Sequence, residues 1–494
     1  MNRSVPILST ALLLAAGLVF AHQSADGAPR EIRTVTSMAP AERAEGAKAH
    51  PQLLAELGGL YAGPQASYIT NVGRKIAVQS SLSSQQGDFT ISLLNSSANN
   101  AFAIPGGYVY VTRQLTALMN SEAELAGVLG HEIGHVAAQH AKQRQSTATR
   151  NSILGILGQV LVGAVAGDSG LGQLLQKGIG TGAQLLTLRF SRGQEYEADD
   201  LGIRYLAKAG YDPAALSSML ASLAAQANLD ARVKGTRSSI PAWASTHPDP
   251  ASRVSRALAN ARATGSTSRL RNAGPFLANI DGMLYDDDPR EGIVEGNRFL
   301  HPALRLKFTV PTGFGLQNSA QAVTISGSQG QAQFTAGSYD GNLSAYVTGV
   351  FRQLAGQGSL RLPEPQRTTV NGLPAAYALT RATTGNGSSV DVTVFAYAFG
   401  PSSAYHFLMV TPAGRGVAPF QTMLSSMARM TDAEAGQAKP RKLRVVTVKA
   451  GDTINTLSAR MAYPDYRTDR FLVLNALSPN ARLQPGRRVK IVTY

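Results

Sequence analysis

The chain has 494 residues, 44% hydrophobic and 16% charged, which is ample apolar material for several cores and too many charges for a chain that lives inside a bilayer. It contains no cysteine, so disulfides, a cysteine nucleophile and a lipidated cysteine are all excluded. The formal charge of +15 is uneven, because residues 439–494 hold 12 Lys+Arg against 3 Asp, a balance that suits nucleic acid or another anionic surface.

Asn2 and Arg3 precede an apolar run from Ile7 to Phe20, closed by Ala21. This predicts an export signal over 1–21, cut after Ala21; the run is short for a membrane span of about 20 residues. A cysteine-free exported chain fits a bacterial periplasm, where stray thiols oxidise. No nucleic acid partner is then expected, and the basic tail should face an anionic envelope surface.

From Ala41 to Leu118 the pattern reads as helices followed by short strands, with Phe89 to Leu93 alternating. Asn100 to Gly107 leads into Tyr108 to Thr112, and Pro105, Gly106 and Gly107 suit an edge strand. An edge beside a catalytic helix can accept an extended peptide as an added strand. Asn100, Ala101, Phe102 and Ala103 are therefore candidate substrate-binding residues, with a plain hairpin as the alternative.

Ser121 and Glu124 form a capping-box signature, and Leu125, Val128, Leu129, Ile133 and Val136 recur at helical spacing behind it. The helix carries His131-Glu132-Ile133-Gly134-His135. Histidines four apart share one side of a helix and make a claw for Zn²⁺, and the glutamate between them can serve as general base. Glu132 falls inside the buried stripe, a costly place for a carboxylate without a partner.

Ile153 to Leu188 is apolar and glycine-rich, and reads as a lid, a membrane-touching patch or two core helices. Beyond it, Ser191 to Asp199 opens another helix. Glu195, Asp199, Gly202 and Leu206 share one face, whereas Glu197, Asp200 and Arg204 share the opposite, solvated one. Glu195 is thus the expected third metal ligand, and Asp199 the expected acceptor that orients a ligating histidine. Asp212-Pro213 starts a further helix. No G-x-S-x-G elbow supports a covalent hydrolase.

Taken together, Asn100 to Gly107, His131 to His135 and Glu195 to Asp199 resemble the peptidase family of HtpX, BepA and the CAAX prenyl endopeptidases, over roughly residues 45 to 262 and most closely its soluble periplasmic branch. The resemblance implies a zincin fold and one zinc ion per chain on His131, His135 and Glu195, with Glu132 as base. It also implies that His247, in Thr246-His247-Pro248, caps the metal at rest or donates to the oxyanion when swung aside. His140 lies about 140° around the helix from His135 and is expected to be structural. The tetratricopeptide array that BepA carries downstream has no periodic counterpart here.

Residues 263–298 read as a linker. Alternating segments within 299–432, at Leu304 to Val310, Ala322 to Ser326, Ala332 to Ala336, Ala375 to Thr383, Val390 to Tyr397 and Tyr405 to Val410, predict a small α+β domain with an antiparallel sheet. Its opening Pro311-Thr312-Gly313-Phe314 and closing helix resemble PsbP-like domains. His301 and His406 are read as structural. After a second linker at 433–444, Gly451-Asp452-Thr453, Asn475 and Pro485-Gly486 resemble a LysM module, βααβ, over 445–494; LysM domains bind N-acetylglucosamine polymers, which implies peptidoglycan as partner.

The expected protein is an α+β chain: a mainly helical zinc metalloprotease domain at 31–262, the small α+β domain, and the LysM-like module. It is expected to be a periplasmic endopeptidase anchored to peptidoglycan. The family likeness implies unfolded or misassembled envelope proteins as substrates and association with the outer membrane. The alternatives are a peptidoglycan-bound chaperone or scaffold with a latent zinc site, and a zinc hydrolase of cell-wall cross-links.

Overall fold

A computed structural model describes residues 32, 34–145, 190–234, 247, 249–355, 363–383 and 389–494. The expected export signal and the apolar stretch 153–188 lie outside these residues. Helices α1 (Pro40–Glu56) and α2 (Gln65–Ala77) precede strands β1 (Thr90–Leu94), β2 (Ala101–Ile104) and β3 (Tyr108–Thr112). The sheet order is β1-β3-β2, with β3 parallel to β1 and antiparallel to β2. β2 is therefore an edge and β3 is central. Gly106 and Gly107 turn the chain between them at φ +88° and +84°, a region that suits glycine. A Cβ on Gly106 would also sit 2.7 Å from the Glu42 carbonyl oxygen, so the turn lies directly against α1.

Next come α3 (Arg113–Leu118), α4 (Glu122–Ala137) and α5 (His140–Gln145). Ser121 Oγ caps α4 by accepting from Glu124 N, while the Glu124 carboxylate accepts from Asn120 N at 2.7 Å. The return bond thus reaches one residue further back than in a reciprocal capping box. α6 (Arg192–Lys208) opens on a reciprocal Ser191–Gln194 box. α4 crosses α6 where Gly130 and Gly134 face Gly202 and Ala198; a Cβ on Gly202 would lie 3.0 Å from His131 N, and one on Gly134 3.1 Å from Ala198 O. With three glycines and an alanine at this crossing the two backbones come into near contact, which draws the start of α6 over the middle of α4. α7 (Ala215–Lys234) and α8 (Pro250–Ala263) complete the helical half.

Residues 263–298 are folded and not a bare tether. They contain α9 (Ala273–Ile280), which buries Phe276, Leu277 and Ile280, and the short strands β4 (Leu284–Tyr285) and β5 (Ile293–Glu295). There follow β6 (Arg298–His301), β7 (Leu306–Thr309), β8 (Phe314–Asn318), β9 (Val323–Gly327), β10 (Gly330–Gly337), α10 (Leu343–Ala355), β11 (Gln366–Val370), β12 (Leu373–Thr383), β13 (Ser389–Gly400), β14 (Ser403–Pro412), α11 (Gln421–Ser426) and β15 (Ala428–Arg429). A seven-stranded antiparallel sheet runs β11-β12-β13-β14-β10-β9-β8. α10 covers one face through Val347 and Phe351. The other face packs on α11 and a four-stranded sheet, β15-β7-β6-β5, around Phe308, Phe334 and Phe407. The central strands β13 and β14 are buried on both faces, whereas the edge strands β8 and β11 stay largely exposed.

The second expected linker is also structured, with α12 (Asp432–Gln437) inside it and β16 (Arg441–Thr447) starting before its end. α13 (Ile454–Ser458), α14 (Arg467–Leu474) and β17 (Arg488–Thr493) follow. β16 pairs antiparallel with β17 on one side and with β4 on the other. The module is locked to the helical half by Lys490, which is fully buried and donates to the carbonyls of Ala117 (2.7 Å), Leu118 (3.2 Å) and Met119 (2.5 Å) at the end of α3. Residues Thr34–Tyr494 accordingly form one compact unit. Among the described residues no helix is long and apolar enough to cross a membrane.

Candidate metal centre

His131 and His135 project from one side of α4, and Glu195 from the first turn of α6 where the glycine crossing brings it close. His247 precedes α8. All four are buried, and one donor atom from each lies within 4.8 Å of the others. His131 Nε2 is 3.1 Å from His135 Nε2 and 3.3 Å from His247 Nδ1; His247 Nδ1 is 3.0 Å from Glu195 Oε1. Glu195 oxygens stand 3.6 Å from His131 Nε2 and from His135 Nε2. In a tetrahedral zinc site with bonds of about 2.0–2.1 Å, neighbouring donors are about 3.3 Å apart. The three imidazoles and one carboxylate therefore fit a zinc ion. His247 would offer a fourth protein donor to such an ion.

The surroundings hold the donors in place. Asp199, one turn beyond Glu195, lies 3.0 Å from His131 Nδ1. Arg253, from the buried side of α8, donates through Nε (2.8 Å) and Nη2 (2.5 Å) to Asp199 and through Nη1 (2.5 Å) to Glu195. His135 Nδ1 is 2.8 Å from His140 Nδ1, and His140 Nε2 is 3.3 Å from a Glu197 oxygen. Phe190 stacks on the His135 ring at 3.8 Å. Glu132 Oε1 lies 3.5 Å from His247 Nε2.

Burial opposes charge on Asp199, but the Arg253 guanidinium outweighs it and holds the carboxyl at about 2. Burial likewise works against ionised Glu195, and His247 and Arg253 together keep its pKa below the usual range. Burial, then the crowding of other imidazoles, pushes His135 well below its ordinary value. The centre thus combines ionised carboxylates with a neutral imidazole, the protonation states that metal binding requires.

The structure brings together five residues proposed from sequence, His131, Glu132, His135, Glu195 and His247, with Asp199 behind them. Ala101 to Ala103 lie on the edge strand β2, and Asn100 immediately precedes it. Arg253 was missed as a site residue; its signal was a cation on the α8 stripe Pro250, Arg253, Ala257 and Ala261. His140 stays out of the donor cluster as expected, whereas Glu197 is placed differently from expectation. His140 backs a cluster imidazole, and Glu197 pairs with it at the rim and is not left to solvent.

Residues 64–261 match the family model of Peptidase family M48, and residues 446–492 that of the LysM domain. The chain is 34% identical over 193 residues to the beta-barrel assembly-enhancing protease of Yersinia pestis, covering 38% of this chain and 37% of that protein. The protein of the same name from Escherichia coli is 32% identical over the same shares. The mitochondrial metalloendopeptidase OMA1 of Arabidopsis thaliana is 38% identical over 122 residues, 24% of this chain and 23% of that one. The alignment thus spans well under half the length of these relatives.

Proposed function

We propose that this chain, which carries an M48 peptidase domain followed by a LysM domain, is a zinc-dependent endopeptidase of the periplasm, anchored to peptidoglycan. The reading assigns the peptidase to 31–262, a substrate-positioning α+β domain to 299–432 and the wall-binding module to 445–494. It is carried by one observation: three imidazoles and a carboxylate at zinc-ligand spacing, with Glu132 between two of them on the helix.

His131, His135 and Glu195 would hold the ion. Zinc bound there supplies Lewis acidity and lowers the pKa of a water toward about 7. Glu132 takes the proton of the attacking water and returns it to the leaving amine. Asp199 accepts from His131 Nδ1–H, which leaves the Nε2 lone pair for the metal. By the same logic His135 Nδ1–H donates to His140 Nδ1, and the His140 proton sits on Nε2, facing Glu197. His247 would cap the ion at rest or, swung aside, donate to the developing oxyanion.

The β2 edge is the proposed substrate strand. Both amide atoms of Asn100 lack a hydrogen-bond partner although the residue is 1% exposed. Buried amides are almost always satisfied, and a small shift of Asn100 toward the edge would let an extended substrate backbone supply the missing donor and acceptor. The relatives' name, beta-barrel assembly-enhancing protease, supports misassembled outer-membrane proteins as substrates, which would bring the chain to that membrane.

Zinc-loaded wild-type protein is expected to cleave unfolded casein, and the Glu132→Gln variant to lose at least about a hundredfold in rate. The rival scaffold reading draws on the fourth protein donor, His247, which leaves no corner for water. Wild-type protein that binds zinc and leaves casein intact would favour it. Release of fragments from purified sacculi would favour the wall hydrolase.

A further inference from the structure

Two imidazoles of the centre leave α4 on one side, but they are not held alike. His131 Nδ1 lies 3.0 Å from Asp199, and the Arg253 guanidinium fixes that carboxylate with two bonds. His135 Nδ1 meets another imidazole, His140 Nδ1, at 2.8 Å, and His140 in turn reaches Glu197 at 3.3 Å. A bond without an ionised partner is about half as strong as a charge-assisted one. His135 is also the most exposed of the four donors, at 5% against 1% or less for His131, Glu195 and His247. The χ2 torsion of histidine is broad. A ring tethered at one nitrogen can therefore still swing about Cβ–Cγ, and a swing carries Nε2 away from the ion.

Phe190 stands where that swing would go. Its half-buried ring lies on His135 with centroids 3.8 Å apart and planes at 24°. The same ring is 5.5 Å from the His247 ring and 6.1 Å from that of His140. Rotation of His135 about Cβ–Cγ would drive its edge into this flat face. The start of α6 sets the position of the ring. Phe190 immediately precedes Ser191, whose capping box with Gln194 fixes the first turn, and Gln194 Nε2 reaches Gln143 Oε1 on α5 at 3.5 Å. Glu195, the carboxylate donor, belongs to that same turn. We propose that Phe190 is a positioning residue of the metal centre: its flat face sets the plane of His135 and keeps water off that ring, so that Nε2 stays aimed at the ion. It acts through His135 and not on substrate. The inference rests on the metallopeptidase reading and adds to it a residue that carries no donor atom.

The test uses the full-length chain with zinc as the probe. Chelator competition should give Phe190→Ala a zinc affinity about tenfold or more below wild type. Phe190→Leu keeps apolar bulk without a flat face and should still lose about fivefold or more, whereas Phe190→Tyr keeps the face and should stay within about twofold of wild type. Cobalt-loaded Phe190→Leu should show an altered visible spectrum, which follows coordination geometry, while its metal-free melting curve matches wild type. At saturating zinc its kcat on an unfolded substrate should fall with KM unchanged. A Phe190→Leu protein that binds zinc as tightly as wild type overturns the proposal, as does a Phe190→Tyr protein as weak as Phe190→Ala. A loss of affinity matched by an equal loss of metal-free stability assigns Phe190 to the fold alone and also overturns it. If Phe190→Ala does not fold, Phe190→Leu and Phe190→Tyr decide between these outcomes. Wild-type protein that binds no zinc removes the metallopeptidase reading and this inference with it; wild type and variants that bind zinc equally remove this inference alone.

Discussion

Arg253→Met tests whether the metal centre is held by a buried ion network. The side chain is 1% exposed and makes three charge-assisted bonds, two to Asp199 and one to Glu195, which are themselves at 1% and 0%. The fall of Asp199 from 3.8 to about 2 alone corresponds to about 2 kcal/mol. Because the folded pKa is depressed, that stability is complete above pH 3.8 and is lost as pH falls through 2. Methionine fills much of the volume but leaves two buried carboxylates without their cation, a change that costs about 3–5 kcal/mol. In the zinc-loaded protein the ion compensates Glu195, so the loss should shrink. Arg253→Lys, which keeps the charge without the planar fork, should fall between the two. Urea melts of metal-free and zinc-loaded protein, with a chelator competition for zinc, read all three forms. A metal-free Arg253→Met protein that melts with the wild type would refute the network.

Gly202→Ala places a Cβ 3.0 Å from His131 N; it should cost about 1–3 kcal/mol and weaken zinc affinity by separating α4 from α6, measured by melts and metal titration. Asn100→Ala should lower kcat/KM on an unfolded substrate by about tenfold or more with little change in melting temperature, since the amide it removes has no partner in the free protein. Lys490→Met leaves the carbonyls of Ala117, Leu118 and Met119 without their donor, and should destabilise the full chain by about 2–4 kcal/mol. His406, whose pKa burial lowers to about 4, contributes stability that is present above its unfolded value of 6.5 and lost as pH falls through 4. The loss approaches about 3 kcal/mol. His406→Asn, which keeps an acceptor for the Tyr346 hydroxyl (2.8 Å), should flatten that acid dependence in melts from pH 7 to 4.

Most of the centre was legible because its geometry is local. Helical spacing puts His131 and His135 on one side of α4, and the same arithmetic separates Glu195 and Asp199 from Glu197 on α6. The strands from β7 to β14 announced themselves by alternation, though β8 and β11 did not, since their exposed, polar side chains carry little apolar pattern. Within the presumed linkers, α9, β4 and β5 are too short to stand out as periodic segments.

Spacing within one element determined which residues share a face, and thereby the proposed claw, its proposed base and its proposed third ligand. Only the tertiary structure decided what reaches that face from elsewhere. His247 comes within 3.3 Å of His131, Arg253 joins Asp199 to Glu195, β4 adds to β16, and Lys490 closes the end of α3. Each of these contacts joins segments more than fifty residues apart. Helical periodicity is a property of a few consecutive residues, whereas such contacts follow from how whole elements pack, as at the glycine crossing of α4 and α6 that brings Glu195 to the histidines.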